Sequence, residues 1–160
     1  MKKSILTVTF AFLSLFVFGN TALAQKAIEP AVQRDPVLEQ DSLKNLDVAR
    51  HYFVTKKAYL AVLKRSEEII AAHPDFSRMD EVLYLVGMSS FYLSENKGKQ
   101  KLGAAKLSEA DKEKYEPAKL REEAIANLNL LIEKFPNSEF KPKAEKTLRE
   151  IDPKTAQKWT

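Results

Sequence analysis

Two histidines, His51 and His73, are the only side chains in this sequence whose ordinary pKa lies near neutrality. Proton-transfer chemistry would have to begin with them or with a carboxylate shifted upward. His73 directly precedes Pro74, where an apolar period stops, a position for capping or exposure rather than for a general base. The carboxylate pairs Glu67-Glu68 and Glu122-Glu123 fall on helix surfaces beside arginine or lysine, which is the pattern of solvated charge. The chain has no cysteine, and so no thiolate nucleophile, thiolate metal ligand or disulfide. It also lacks a glycine-rich phosphate loop, a His-x-x-x-His metal spacing and a nucleophile elbow. The expectation is no enzyme, no cofactor and no metal.

Recognition without covalent chemistry remains. A charge-free run, VLYLVGMSSFYL, spans Val82 to Leu93. A helix apolar around most of its circumference is either buried on both sides or offers a face to a partner. Its Gly87, Ser89 and Ser90 are small enough to admit a second helix closely. Tyr84 and Tyr92 carry hydroxyls that need partners.

The segments flanking this run are read as follows. Lys2 and Lys3, the apolar run Ile5 to Phe18 and the small residues Ala22 and Ala24 before Gln25 have the layout of a secretory signal peptide, residues 1–24, cleaved or retained as an anchor. The whole chain has 26 Lys and Arg against 22 Asp and Glu. Without the leader's two lysines the balance is 24 against 22, too even to suggest nucleic acid. The leader marks the chain for export. Residues 25–40, with Pro30 and Pro36, read as a flexible lead-in.

Helices are then predicted from Ser42 to Lys56, from Lys57 to His73, from an N-cap at Ser77 through Leu93, from Pro117 to Lys134, and from a cap at Ser138 to about Ile151. No segment alternates with period two, so the fold class is all-α, with about five helices. Between the third and fourth lies an atypical segment, residues 94–116, whose part from Lys97 to Lys106 has four lysines and no acid. It reads as a solvated loop or as a contact for an acidic partner or lipid headgroups. A short helix within it is capped by Ser108, with Asp111 three residues on.

Aligned on their terminal prolines, the second and fourth helices match: Val62, Ser66 and Ile69 before Pro74 correspond to Ala124, Leu128 and Leu131 before Pro136. That is a loosened second-helix pattern of the tetratricopeptide repeat. Residues 94–116 then form an insertion between the two helices of one repeat, inside a domain spanning 41–152 with a tail over 153–160.

Val48, Ala49, Arg50, Tyr52, Ala58, Tyr59, Arg65, Pro74, Glu81 and Leu83, followed by Ala124, Phe135, Pro136, Ser138 and Ala144, make the chain resemble the BamD or YfiO-like family of outer membrane assembly lipoproteins. In that family such repeats support the machinery that folds β-barrels into the outer membrane. The family's lipid-bearing cysteine after the signal is here Gln25, which closes that anchoring route, and this chain has fewer repeats than is usual there. The resemblance implies an adaptor that binds a protein partner in the cell envelope. A peripheral membrane contact remains open. By the family's spacing, the resemblance implies a partner groove at Asp47, His51, Tyr84, Met88, Phe91 and Tyr92, positions that fit a helical core equally well. A holdase chaperone or a scaffold for peptidoglycan machinery is the alternative. Partner identity and oligomeric state are not specified by these residues.

Overall fold

The computed structural model describes residues 35–153. The expected signal segment with Ala22, Ala24 and Gln25, all of the lead-in before Asp35, and the tail from 154 onward lie outside the described residues. Within them every regular element is helical: α1 (Pro36–His51), a π-helical turn (Tyr52–Lys56), α2 (Tyr59–Ala72), α3 (Met79–Ser94), a 3-10 turn (Leu102–Ala104), α4 (Glu109–Lys114), α5 (Pro117–Lys134) and α6 (Lys141–Ile151).

These helices pack as a short tetratricopeptide-type solenoid. α1 and α2 form one hairpin, α3 and α5 form the next with α4 inside the insertion, and α6 is the first helix of an incomplete third. Apolar spacing explains the stacking. Leu46 and Ala49 of α1, Val62, Leu63 and Ile69 of α2, Leu120, Ala124, Leu128 and Leu131 of α5, and Ala144 and Leu148 of α6 are fully or almost fully buried. A single hairpin could not cover these stripes, and its neighbours do so.

α3 lies at the centre, against both α2 and α5, which accounts for its charge-free run. Gly87 marks the closest approach. A Cβ there would come within 2.6 Å of Leu128 Cγ, far inside van der Waals contact, so only glycine lets α5 sit at this depth. One acid is also buried on α3. Glu81 accepts hydrogen bonds from Arg50 of α1 and from Arg78, and so ties the first helices of successive repeats together.

Several boundaries differ from expectation. α1 starts at Pro36, six residues before Ser42, because the Asp35 carboxylate accepts from the Val37 amide at 2.8 Å and Pro36 occupies the first turn. The first hairpin turns through a π-helical segment and Lys57 in the left-handed region (φ 50°), so α2 begins at Tyr59. Ser77 does not cap α3. Its hydroxyl donates to Glu39 of α1, and Arg78 holds the N-cap position without a side-chain bond. Ser138 lies before α6, whose N-cap is Phe140; its Oγ accepts from the Phe140 amide and donates to Asp80 at 2.6 Å. Ile70, next to the buried Ile69 on α2, is exposed. Ser108 does cap α4, accepting from the Asp111 amide at 3.1 Å.

The insertion is folded onto the repeats. Tyr115 is 3% exposed within the core, with Leu102, Ala105 and Leu107 packed around it. Lys114 of α4 pairs with Glu67 of α2 at 2.8 Å. At the insertion's start the Lys99 amide donates to the Lys57 carbonyl at 3.0 Å. Gly98 (φ 96°) leaves room for that carbonyl, which a Cβ would meet at 2.7 Å. Much of the segment is nonetheless exposed, Asn96, Gly103, Ser108 and Glu109 as well as its lysines, so the solvated-loop expectation holds for its outer side and fails at Tyr115 and the leucines.

Candidate partner groove

In this arrangement α1, α3 and α6 are the first helices of their repeats and share the side on which a groove was expected. A cleft of about 330 Å³ opens there between α3 and α6, lined by Met88, Phe91, Tyr92, Lys97, Lys143, Lys146, Thr147 and Glu150. Its floor is apolar and almost closed, with Met88 and Phe91 each 6% exposed. The Thr147 hydroxyl donates to Met88 Sδ at 3.4 Å, fixing the thioether against α6.

Tyr92 is braced from behind. Its ring lies 4.9 Å from that of Tyr59 and stacks on Phe53 at 6.1 Å. In front, the Lys97 ammonium sits 5.5 Å from the Phe91 centroid and 5.7 Å from that of Tyr92, within cation–π range. Lys97 also pairs with Glu95 at 2.5 Å, and that hydrogen bond is the main reason its pKa is raised. Three ammonium groups against Glu150 leave the cleft positive.

Three of the six candidate residues therefore meet in one cleft. Tyr84 lies outside its lining, half-buried, with its ring stacked on Phe140 at 4.9 Å; burial pushes its hydroxyl pKa up. Asp47 and His51 are exposed on α1, where Asp47 accepts from Arg50 at 2.6 Å. The lysines of α6 were missed by sequence reasoning. Their signal was the spacing of Lys143, Lys146, Thr147 and Glu150 on the helix face opposite Ala144 and Leu148.

The groups weighed for catalysis take other places. His73 is the C-cap of α2, its backbone amide donating to the Ile69 carbonyl at 2.8 Å, and its side chain is buried rather than exposed. The end of α2 packs against α1, and there its Nδ1 lies 3.2 Å from Ser42 Oγ and 3.8 Å from Glu39 Oε2. Both partners approach the same ring nitrogen, whereas a nucleophile relay needs them on opposite ones. Glu67 pairs with Lys114 and Glu68 with Arg65. Glu123 is half-buried and accepts from the Ser90 hydroxyl at 2.9 Å; burial raises its pKa, and the hydroxyl only partly counters this. Among the described residues no group of three or more His, Asp and Glu side chains is placed to hold a metal, and no helix is long and apolar enough to cross a membrane.

The raised Glu123 value gives a signed expectation. The folded state holds this proton to higher pH than the unfolded chain, so stability gains as pH falls through that window and is lost as pH rises above it. Glu123→Gln should therefore raise the melting temperature at neutral pH, with the advantage shrinking as pH falls toward the ordinary carboxylate range. Thermal melts across pH would check this, and a pH-independent difference would mean that the charge is not the cause.

A family model described as "YfiO: Outer membrane lipoprotein" matches residues 16–158. The chain belongs to the YfiO family. The match takes in all the described helices. No curated protein and no solved structure matches the chain significantly.

Proposed function

We propose that this chain is a non-catalytic adaptor of the cell envelope that grips a segment of a protein partner and serves outer membrane β-barrel assembly. The observation that carries this reading is the lysine-edged aromatic cleft between α3 and α6, on the first-helix side of the repeats. Membership of a family described as outer membrane lipoproteins supports the envelope setting, and the assembly role is what the resemblance to the BamD or YfiO-like family implies. A rigid floor of Met88, Phe91 and Tyr92 suits apolar side chains of the partner. Lys97, Lys143 and Lys146 at the rim suit its carboxylates and speed encounter. Asp47, His51 and Tyr84 extend the same side toward α1.

Affinity capture from detergent-solubilised envelopes with in-cell crosslinking, using a C-terminally tagged chain, tests this. Tyr84→Ala combined with Tyr92→Ala should weaken capture of the partner by about tenfold or more, as loss of aromatic anchors does, with helical content by circular dichroism unchanged. Both rings also pack internally, so Lys143→Glu with Lys146→Glu is the companion variant that leaves the core alone. Unchanged capture in both variants would remove the groove from the binding site. Recovery of a barrel component places the chain in assembly, a different single partner keeps the adaptor alone, and a broad set of unfolded outer membrane proteins assigns it to the holdase class.

A further inference from the structure

The docked insertion brings two lysine clusters together at the tip of the first hairpin. Residues 51–66 carry four basic side chains and no carboxylate, and residues 96–108 carry four lysines and none. The hydrogen bond from the Lys99 amide to the Lys57 carbonyl joins them, and Gly98 permits that contact. Lys56, Lys57, Lys97, Lys99 and Lys101 are all exposed around this tip. Lys101 Nζ donates to the Asn96 carbonyl at 2.5 Å, which holds its ammonium beside the others. Glu95, paired with Lys97, and Glu150, which acts on Lys97 electrostatically, are the carboxylates recorded as acting on these lysines. From the same π-helical turn Val54 projects with 70% exposure, the most exposed large apolar side chain among the described residues.

We propose that this tip is a docking surface for an anionic membrane, with the lysines among phospholipid phosphates and Val54 entering the headgroup boundary. Its chemistry favours lipid over an acidic protein. The five exposed cations of the tip are all lysines, which act as strongly hydrated point charges, and Arg65, the arginine of this stretch, is already paired with Glu68 at 2.7 Å. Val54 stands 70% exposed beside Lys56 and Lys57, an apolar side chain flanked by cations, which suits a headgroup boundary. A lysine near an anionic bilayer contributes about a fivefold gain in partitioning. Lys97 borders the α3–α6 groove as well, so the test below leaves it unchanged and the two proposals stay separable.

Co-sedimentation of the full chain with vesicles tests it, comparing phosphatidylcholine alone with mixtures containing phosphatidylglycerol. Subtracting the neutral-vesicle signal removes any contribution of the apolar segment 5–18, which is common to all variants. Binding to the anionic vesicles is expected to fall steeply with salt. Lys56→Gln, Lys57→Gln and Lys99→Gln together should weaken it by about a hundredfold, while Lys44→Gln, Lys134→Gln and Lys141→Gln, with equal charge loss elsewhere, should change it little. Equal losses in the two triple variants, or none in the first, would overturn the proposal. So would poly-glutamate binding that the first triple abolishes without any anionic-vesicle binding, which would reassign the tip to an acidic protein.

Discussion

Replacing Leu128 by alanine is expected to cost about 2–5 kcal/mol, and adding Gly87→Ala to that variant should restore part of the loss. Leu128 is fully buried at the crossing of α3 and α5, and its Cγ and Cδ2 occupy the space where residue 87 would carry a Cβ, at 2.6 and 2.7 Å. Truncating it empties that space, and a methyl at position 87 then enters part of the void. In the wild-type background the same methyl has nowhere to go, because the nearest atoms are the root of a packed leucine and, at 3.4 Å, the Ala124 carbonyl. Gly87→Ala alone should therefore cost about 1–3 kcal/mol of overpacking, offset by about 1 kcal/mol of improved helix propensity. Together the two changes should be better than their sum by about 1 kcal/mol or more. Urea denaturation of the four proteins measures this. Strict additivity would show that Leu128 is not the neighbour that position 87 meets.

The same crossing shows what was legible in the sequence. Gly87 stood out because a small residue inside a charge-free helix has a packing reason to be there. The 3.6-residue period of Val62, Leu63, Ser66 and Ile69, and of Leu120, Ala124, Leu128 and Leu131, identified the two inner helices, and Pro74, Pro117 and Pro136 marked their limits. The start of α1 was hidden because Val37, Leu38 and Leu43 remain exposed, so its first turns show no apolar stripe and rest on the Asp35 cap. The π-helical turn has no local signature, since neither Gly nor Pro is present and the left-handed residue is Lys57. The C-cap position of His73 could be read from Pro74, but the burial of its ring could not, because its partner Ser42 is 31 residues away. The insertion was misread for a related reason: its few apolar residues, Leu102, Leu107 and Tyr115, follow no period and are buried by contacts from elsewhere in the fold. At the groove, Met88, Phe91 and Tyr92 could be placed on one helix. That Lys143 and Lys146 face them depends on how α6 packs, a tertiary fact.

Glu81→Gln is expected to cost about 2–3 kcal/mol, below the full value for breaking a buried ion pair because both arginine partners reach solvent. The Glu81 carboxylate is 8% exposed and accepts from Arg50 Nε, from Arg50 Nη2 at 2.5 Å and from Arg78 Nη2 at 2.8 Å. A glutamine keeps one acceptor and turns a second group of N–H donors toward guanidinium donors, so bonds are lost and like dipoles meet. Arg50 donates two of these three bonds and is the chief partner; its bonding to Glu81 is the main reason its own pKa is raised further. Arg78→Ala, which leaves the two Arg50 bonds in place, should cost at most about 1 kcal/mol. The asymmetry has a functional side. Arg50 joins Asp47 on the exposed face of α1 to Glu81, three residues before Tyr84 on α3, so this pair sets how the two groove-facing helices sit against each other. Hydrogen exchange should show faster opening of α1 amides in Glu81→Gln while α5 and α6 stay protected. Equal losses for Glu81→Gln and Arg78→Ala would mean that the bond along α3 holds the acid, and that α1 is kept in place by its apolar stripe alone.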